Sequence, residues 1–230
     1  MVICTLKTPF TDTDLAHARA DFKKAGHNAI RHMFSPSTWL KVGVAALVVD
    51  VGSYHGVDLK AFMQRAGALA DNVTIHTYEP VRATRNVLKA TVALFPNIVV
   101  HPVGLGLINQ RMCIDGVGDA ALLRPLHMQT LCPVERRASV HNAWHELRSL
   151  SRPVDLLQLN CEGCEYPVLK TLMLYRSMAR VVRAIEMQVH PRAVSARQYC
   201  ELEARLRGLG YRLAYRHPFV WELWVSSISP

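Results

Sequence analysis

The chain alternates between unbroken apolar runs and amphipathic stretches, regularly enough to divide most of it into strands and helices. Val42 to Val49 is apolar almost throughout. It predicts a strand over about Ala45 to Val51, buried on both faces as parallel strands are. Val57 to Leu69 has helical periodicity and predicts a helix from about Asp58 to Ala70. Val73, Ile75 and Thr77 alternate within a second strand, Asn72 to Tyr78, and Pro80 suits the first turn of a helix from about Val81 to Leu94. A third strand, Asn97 to Val103, is stopped by Gly104 and Gly106.

The pattern weakens from Leu107 to Leu150, where Gly116, Gly118, Pro125 and Pro133 punctuate the chain. A short edge strand is predicted there at Val134 to Val140 and a short helix at Asn142 to Leu150. Regularity then returns as strand Val154 to Leu159, helix Tyr166 to Met178, strand Val181 to Val189, helix Ser195 to Leu209, and strands Tyr211 to Arg216 and Val220 to Val225. His217-Pro218-Phe219 joins the last two and is short enough to demand an antiparallel hairpin. Upstream, Asp12 or Thr13 caps a polar, amphipathic helix running toward Ala29, and Ser35-Pro36-Ser37 breaks the chain. The division expected is an N-terminal helical extension, 1–40, and one α/β domain, 41–230. Alternating strands and helices imply right-handed crossovers and a doubly wound sheet.

Asp50-Val-Gly52-Ser-Tyr-His-Gly56 lies at the first strand-to-helix turn. Glycines at such a turn let the backbone approach a nucleotide-like ligand and leave amides free at the helix N-terminus. Two further segments sit at later strand ends: Tyr78-Glu79-Pro80 and Asn160-Cys-Glu162-Gly163.

Together these segments resemble S-adenosylmethionine-dependent methyltransferases of the FkbM type. The resemblance covers roughly Leu47 to Val225. It rests on Val49-Asp-Val-Gly-Ser-Tyr-His-Gly56, on His76-Thr-Tyr-Glu-Pro80, and above all on Asp155-Leu-Leu-Gln-Leu-Asn-Cys-Glu-Gly-Cys-Glu-Tyr-Pro-Val-Leu169. The last looks like the family's D-x-E-G-x-E stretch, with Asn160 where Asp is common. Ala184-Ile-Glu-Met-Gln-Val-His190 and Trp221-Glu-Leu-Trp224 look like the strands that follow. The resemblance implies a Rossmann-like class I methyltransferase fold, a seven-stranded, mostly parallel sheet with a C-terminal antiparallel hairpin. It also implies S-adenosyl-L-methionine as cofactor and methylation of a hydroxyl or carboxyl oxygen on a small-molecule acceptor.

Each motif residue then has a functional and a structural reading. Glu79 either accepts hydrogen bonds from a ribose diol or caps the helix after Pro80. Gly52 and Gly56 serve cofactor approach or only a tight turn. Asp50 holds the cofactor's amino acid end or satisfies turn amides. Asn160 and Glu162 leave strand four beside strand one, where ligands bind in such sheets. Glu162 is the nearest candidate for a base or an acceptor-orienting group, with His190 second. Their alternatives are a helix cap and a loop histidine before Pro191. Asn160 cannot act as a base, so a noncatalytic adaptor on the same fold stays in play. An NAD-dependent oxidoreductase is a weaker rival, since the turn is not G-x-G-x-x-G.

Cys161-Glu-Gly-Cys164 can be a redox pair or half of a zinc site. With no second C-x-x-C or H-x₃₋₅-H, it reads best as small packing residues, and no metal is expected. His101, His127, His141 and His145 read as solvated, His141 and His145 alone sharing helical i,i+4 spacing. Six cysteines in 230 residues fall short of a secreted disulfide scaffold, so reduced thiols in a cytoplasmic setting are expected. No apolar stretch reaches the ~18 residues of a membrane span, so a soluble chain is expected, with room left for an anchor upstream. Net charge of +9 and a pI near 9.5 suit an anionic partner. The scattered cations, with few aromatics between them, suit a generally basic surface better.

Overall fold

The computed structural model describes residues 43–116, 122–125, 132–190, 195–217 and 221–227. The expected N-terminal helix and the 1–40 extension lie outside them, as do His127, Pro191 and the Pro218-Phe219 turn.

Seven strands form the main sheet in the order β10-β11-β9-β8-β1-β2-β3. They are β1 (Ala46–Val51), β2 (Val73–Tyr78), β3 (Ile98–His101), β8 (Leu156–Leu159), β9 (Ala184–Gln188), β10 (Tyr211–His217) and β11 (Trp221–Ser226). The first five run parallel, and β11 pairs antiparallel with both β9 and β10. This is the α/β sheet with a C-terminal hairpin that the sequence predicts. Strand β1 lies inside it, between β8 and β2, buried along its whole length.

The two-residue period of the strands divides the core. Ala46, Val48, Ile75 and Leu156 face Leu59, Phe62 and Met63 of helix α1 (Val57–Ala66). Leu47, Val49, Val51 and Leu157 face the opposite layer. That layer includes α3 (Ala143–Ser149), α4 (Glu165–Leu172) and α6 (Ala196–Gly208). Between them in chain order lie α2 (Arg82–Thr91) and the short α5 (Met178–Val181).

Several helices are shorter than their periodicity suggests. Helix α1 stops at Gly67 and continues as a 3-10 turn, Gly67–Asn72. Pro80 precedes α2 instead of opening it, because Val81 is the N-cap. The single helix expected over Tyr166 to Met178 is α4 and α5. Met173 and Met178 keep facing the same core across the break, so the apolar pattern outlasts the helix. Ser195 opens α6 with a complete capping box through Gln198.

The weakly patterned middle of the chain is a second sheet, ordered β4-β7-β5-β6. Its strands are β4 (Gly104–Gly106), β5 (Gln110–Asp115), β6 (Leu122–Pro125) and β7 (Arg137–Asn142). Gly104 and Gly106 therefore start a new sheet as well as ending β3. Strand β7 is interior, paired with β4 and β5, and not the edge strand expected. A disulfide between Cys113 and Cys132 ties this sheet to the loop before β7. Thr171 of α4 donates to the Gly106 carbonyl at 3.3 Å and holds the small sheet against the large one.

Strands β1 and β8 end side by side, and their outgoing loops cross. The Asn160 amide donates to the Val51 carbonyl at 3.0 Å. Gly52 has φ of 91°, and a Cβ there would collide with the Asn160 carbonyl. Gly52→Ala therefore combines a left-handed backbone penalty with overpacking, together about 2–5 kcal/mol. Urea denaturation should show that loss; a variant within about 0.5 kcal/mol of wild type would mean the two loops do not pack this closely.

Candidate functional site

The loops leaving β1, β2 and β8 wall one side of a cavity of about 870 Å³, and the small sheet walls the other. That volume is in the range of small-molecule and cofactor sites. Five of the residues singled out from the sequence line it: Asp50, Gly52, Glu79, Asn160 and Glu162. Gly56 stands behind the wall. It is the N-cap of α1 with φ of 75°, and a Cβ there would meet Leu88 and Val92. The need for glycine at 56 is helix packing. His190 also lies outside the lining, behind Glu162.

Glu79 is buried rather than exposed at a strand end. Its Oε1 accepts from the amide of Val81, the N-cap residue itself, at 2.8 Å, so Glu79 is not a side-chain cap of α2, and its carboxyl borders the cavity. Burial raises its pKa to about 7, against the pull of the Val81 amide and the Arg85 charge. Arg85 itself donates to the Glu79 and Pro80 carbonyls. Asp50 is also buried, its Oδ2 held by the hydroxyls of Ser53 and Thr77 and not by turn amides. Burial outweighs these hydrogen bonds and raises its pKa to about 6.

Asp50, Gln158 and Glu186 are aligned across β1, β8 and β9. Gln158 reaches the cavity, whereas Glu186 sits wholly beneath it. Both Glu186 oxygens and Gln158 Oε1 are without hydrogen-bond partners. Burial, reinforced by the charges of Asp50 and Asp58, takes the Glu186 pKa to about 8. A strand pattern read only for apolar alternation does not reveal this polar row.

Glu162 and His190 do come together. His190 Nε2 lies 3.2 Å from Glu162 Oε1, and its Nδ1 lies 3.0 Å from Glu165 Oε1. Glu165 has no exposed surface, and it also accepts from the Cys161 and Gly163 amides at 2.7 and 2.8 Å. Burial alone would depress the His190 pKa. The Glu165 hydrogen bond and charge, with a smaller share from Glu162, hold it above its ordinary value instead. Sequence reasoning passed over Glu165 as a site residue, although it closes the E-G-x-E string. The backbone at Glu162 is left-handed, with φ of 55°.

Cys161 and Cys164 form a disulfide, which corrects their reading as free packing residues. Cys113, Cys132 and Cys200 are bonded too, so reduced thiols do not describe this chain. His141 lies in β7 while His145 belongs to α3, so their four-residue spacing is not helical. His141 pairs with Glu146 at 2.6 Å, and His101 stacks on Tyr78 and His76. Among the described residues no three metal-binding side chains cluster, and no helix is long and apolar enough to cross a membrane.

No protein-family model matches the sequence, and no curated protein matches it either. Solved structures do. The fold is similar to that of the Methanococcus jannaschii fibrillarin pre-rRNA processing protein, with a TM-score of 0.50 and 12% identity over 89% of this chain and 77% of that one. Aeropyrum pernix fibrillarin, solved with natively bound S-adenosyl-L-methionine, aligns at 0.48 and 13% identity over 86% and 74% of the two chains. The METTL16 MTase domain aligns at 0.48 and 15% over 88% and 67%. The likeness to the first is one of fold: a Rossmann-like α/β architecture with a mostly parallel seven-stranded sheet.

The buried acids make stability depend on pH in a definite direction. Asp50, Glu79 and Glu186 have folded pKa values near 6, 7 and 8, above their ordinary 3.8, 4.5 and 4.5. Each contributes stability that is complete below its ordinary value and lost as pH rises through its folded value. His190, also raised, acts in the same direction. The ligand-free protein should melt at a higher temperature near pH 5 than near pH 8.5, and Glu186→Gln should flatten the profile. A melting temperature that climbs steadily from pH 5 to 8.5 would contradict this account.

Proposed function

We propose that this chain is an S-adenosylmethionine-dependent methyltransferase. The observation that carries the reading is the convergence on one cavity of the Gly52 turn, the Glu79 carboxyl and the Glu162 loop. The residues suit the cofactor. Glu79, buried at the end of β2, is placed to accept from a ribose diol, and ligand hydroxyls would favour its ionised form. Gly52, whose missing Cβ makes room for the Asn160 carbonyl, lets the β1 and β8 loops close together beside the ligand site. Asp50 has Oδ1 to offer an ammonium, Oδ2 being taken by Ser53 and Thr77. Asn160 offers a neutral amide beside them.

When bound, S-adenosylmethionine supplies an electrophilic methyl group on a sulfonium. The protein's part is alignment and proton removal. Glu162 would accept the proton that the acceptor gives up when the sulfonium's methyl–sulfur bond is exchanged for the bond to the acceptor. His190, in contact with both Glu162 and Glu165, fixes the Glu162 side chain and limits its freedom. A carboxylate in that position supports a working enzyme over an adaptor, since Asn160 need not then be the base. Oxygen methylation is favoured by the FkbM-type motifs and by the lack of an N/D-P-P-Y string after β8.

Calorimetric titration with S-adenosylhomocysteine and with NAD tests the cofactor. The first should bind and stabilise the fold by about 2.7 kcal/mol at a hundred times its dissociation constant, and NAD should not. Saturating NAD giving the larger melting shift would overturn the reading.

Two substitutions test the assignments. Glu79→Gln should weaken S-adenosylhomocysteine binding by about 1.5–3 kcal/mol, the worth of hydrogen bonds to a charged group. Glu162→Gln should bind it within a few-fold of wild type yet lower turnover by about 10²–10⁴. Unchanged affinity in the first, or unchanged turnover in the second, removes that residue from its role.

A further inference from the structure

The geometry points to a second reactive centre: we infer that Cys161–Cys164 is a thiol–disulfide exchange site, opening on the ligand cavity, that takes a dithiol reductant and governs the position of Glu162. The part concerning Glu162 rests on the function proposed above; the exchange chemistry does not.

Access separates this disulfide from the others described. Cys161 and Cys164 both line the cavity and are half-buried. Cys113, Cys132 and Cys200 are buried, at 1%, 8% and 8% exposure. Exchange requires a thiolate to reach a sulfur, so reagents entering the cavity meet the first pair first.

The bond also closes the four-residue loop that carries the acid–base cluster. Glu162 and Gly163, the two residues between the sulfurs, both have left-handed backbones, with φ of 55° and 108°. For Glu162 that conformation is unfavourable and persists only when its surroundings impose it. The surroundings are the disulfide, the Glu165 carboxylate on the Cys161 and Gly163 amides, and the His190 contact. Removing the covalent closure lets Glu162 relax out of the left-handed region and withdraw from His190.

A monothiol leaves the exchange half-complete, because the second cysteine, three residues away, re-forms the Cys161–Cys164 bond. A dithiol completes the reaction in two steps. Its first thiolate bonds to one cysteine sulfur as the Cys161–Cys164 bond breaks, and the departing thiolate takes a proton. Its second thiol, as thiolate, displaces that cysteine and closes the reductant's own disulfide. The protein gains two electrons and two protons, and the dithiol loses them.

The test uses the full chain in dithiothreitol redox buffers without denaturant. Iodoacetamide trapping and peptide mapping should show Cys161 and Cys164 alkylated at least tenfold faster than Cys113 and Cys132. Nuclear magnetic resonance of the His190 ring then reads the loop. On reduction its titration midpoint should fall, and Cys161→Ser/Cys164→Ser should reproduce that fall with Cys113–Cys132 still bonded. Equal alkylation of the two pairs, or an unmoved His190 midpoint in both the reduced protein and the double variant, would overturn the inference. S-adenosylhomocysteine binding, followed in parallel, keeps the two ideas apart. Failure to bind in either redox state counts against the methyltransferase reading, while alkylation and the His190 midpoint still decide the exchange site.

Discussion

The parallel pairing of β1 with β8 is the constraint on which the site depends. These strands are distant in sequence, with the whole of β2 to β7 between them, yet Val48 to Val51 lie in register with Leu156 to Leu159. Parallel neighbours direct their chain exits to the same end of the sheet. The Asp50–Gly52 turn and the Asn160–Gly163 loop thus share one edge, close enough for the Asn160 amide to reach Val51. A one-residue slip of β8 would take Gln158 off the face it shares with Asp50 and set Leu157 or Leu159 beneath the cavity.

Buried acidity gathers at that edge, around the cavity. Three carboxyl groups with raised pKa values lie within it or beneath it, and Glu186 has no partner at all. Unpaired buried carboxyls are unfavourable. The rest of the domain follows the opposite rule: Glu222, equally buried, meets Arg216, Tyr199 and Trp224. Within one molecule the paired carboxylates thus secure the hairpin, and the poorly paired ones underlie the cavity.

The main sheet was legible because its central strands are buried on both faces, so their residues are apolar without interruption. Val48 and Leu157 show this at once. The small sheet was not legible for the converse reason. Gln110–Asp115 and Arg137–Asn142 mix polar and apolar residues over six positions each, and the pairing of Cys113 with Cys132 has no local signal. At the site, turn glycines and strand-end acids could be found by position, which singled out Gly52, Glu79 and Glu162. Position could not say that Glu79 is buried, that Gly56 serves packing, or that Glu165 orders both His190 and the loop. Those properties arise from neighbours brought in by tertiary folding.

The hairpin has a consequence for how the polypeptide is made. Strand β10 emerges from synthesis before β11, yet among the described strands it pairs with β11 alone, which lies between it and β9. Until Trp221–Ser226 is available, Tyr211–His217 has no strand to join, and β9 is left with an open edge. Completion of the sheet therefore waits on one of the last described segments to be translated. During that interval the exposed edge of β9 is the region of the nascent chain most open to wrong pairing, and to the chaperones that guard against it.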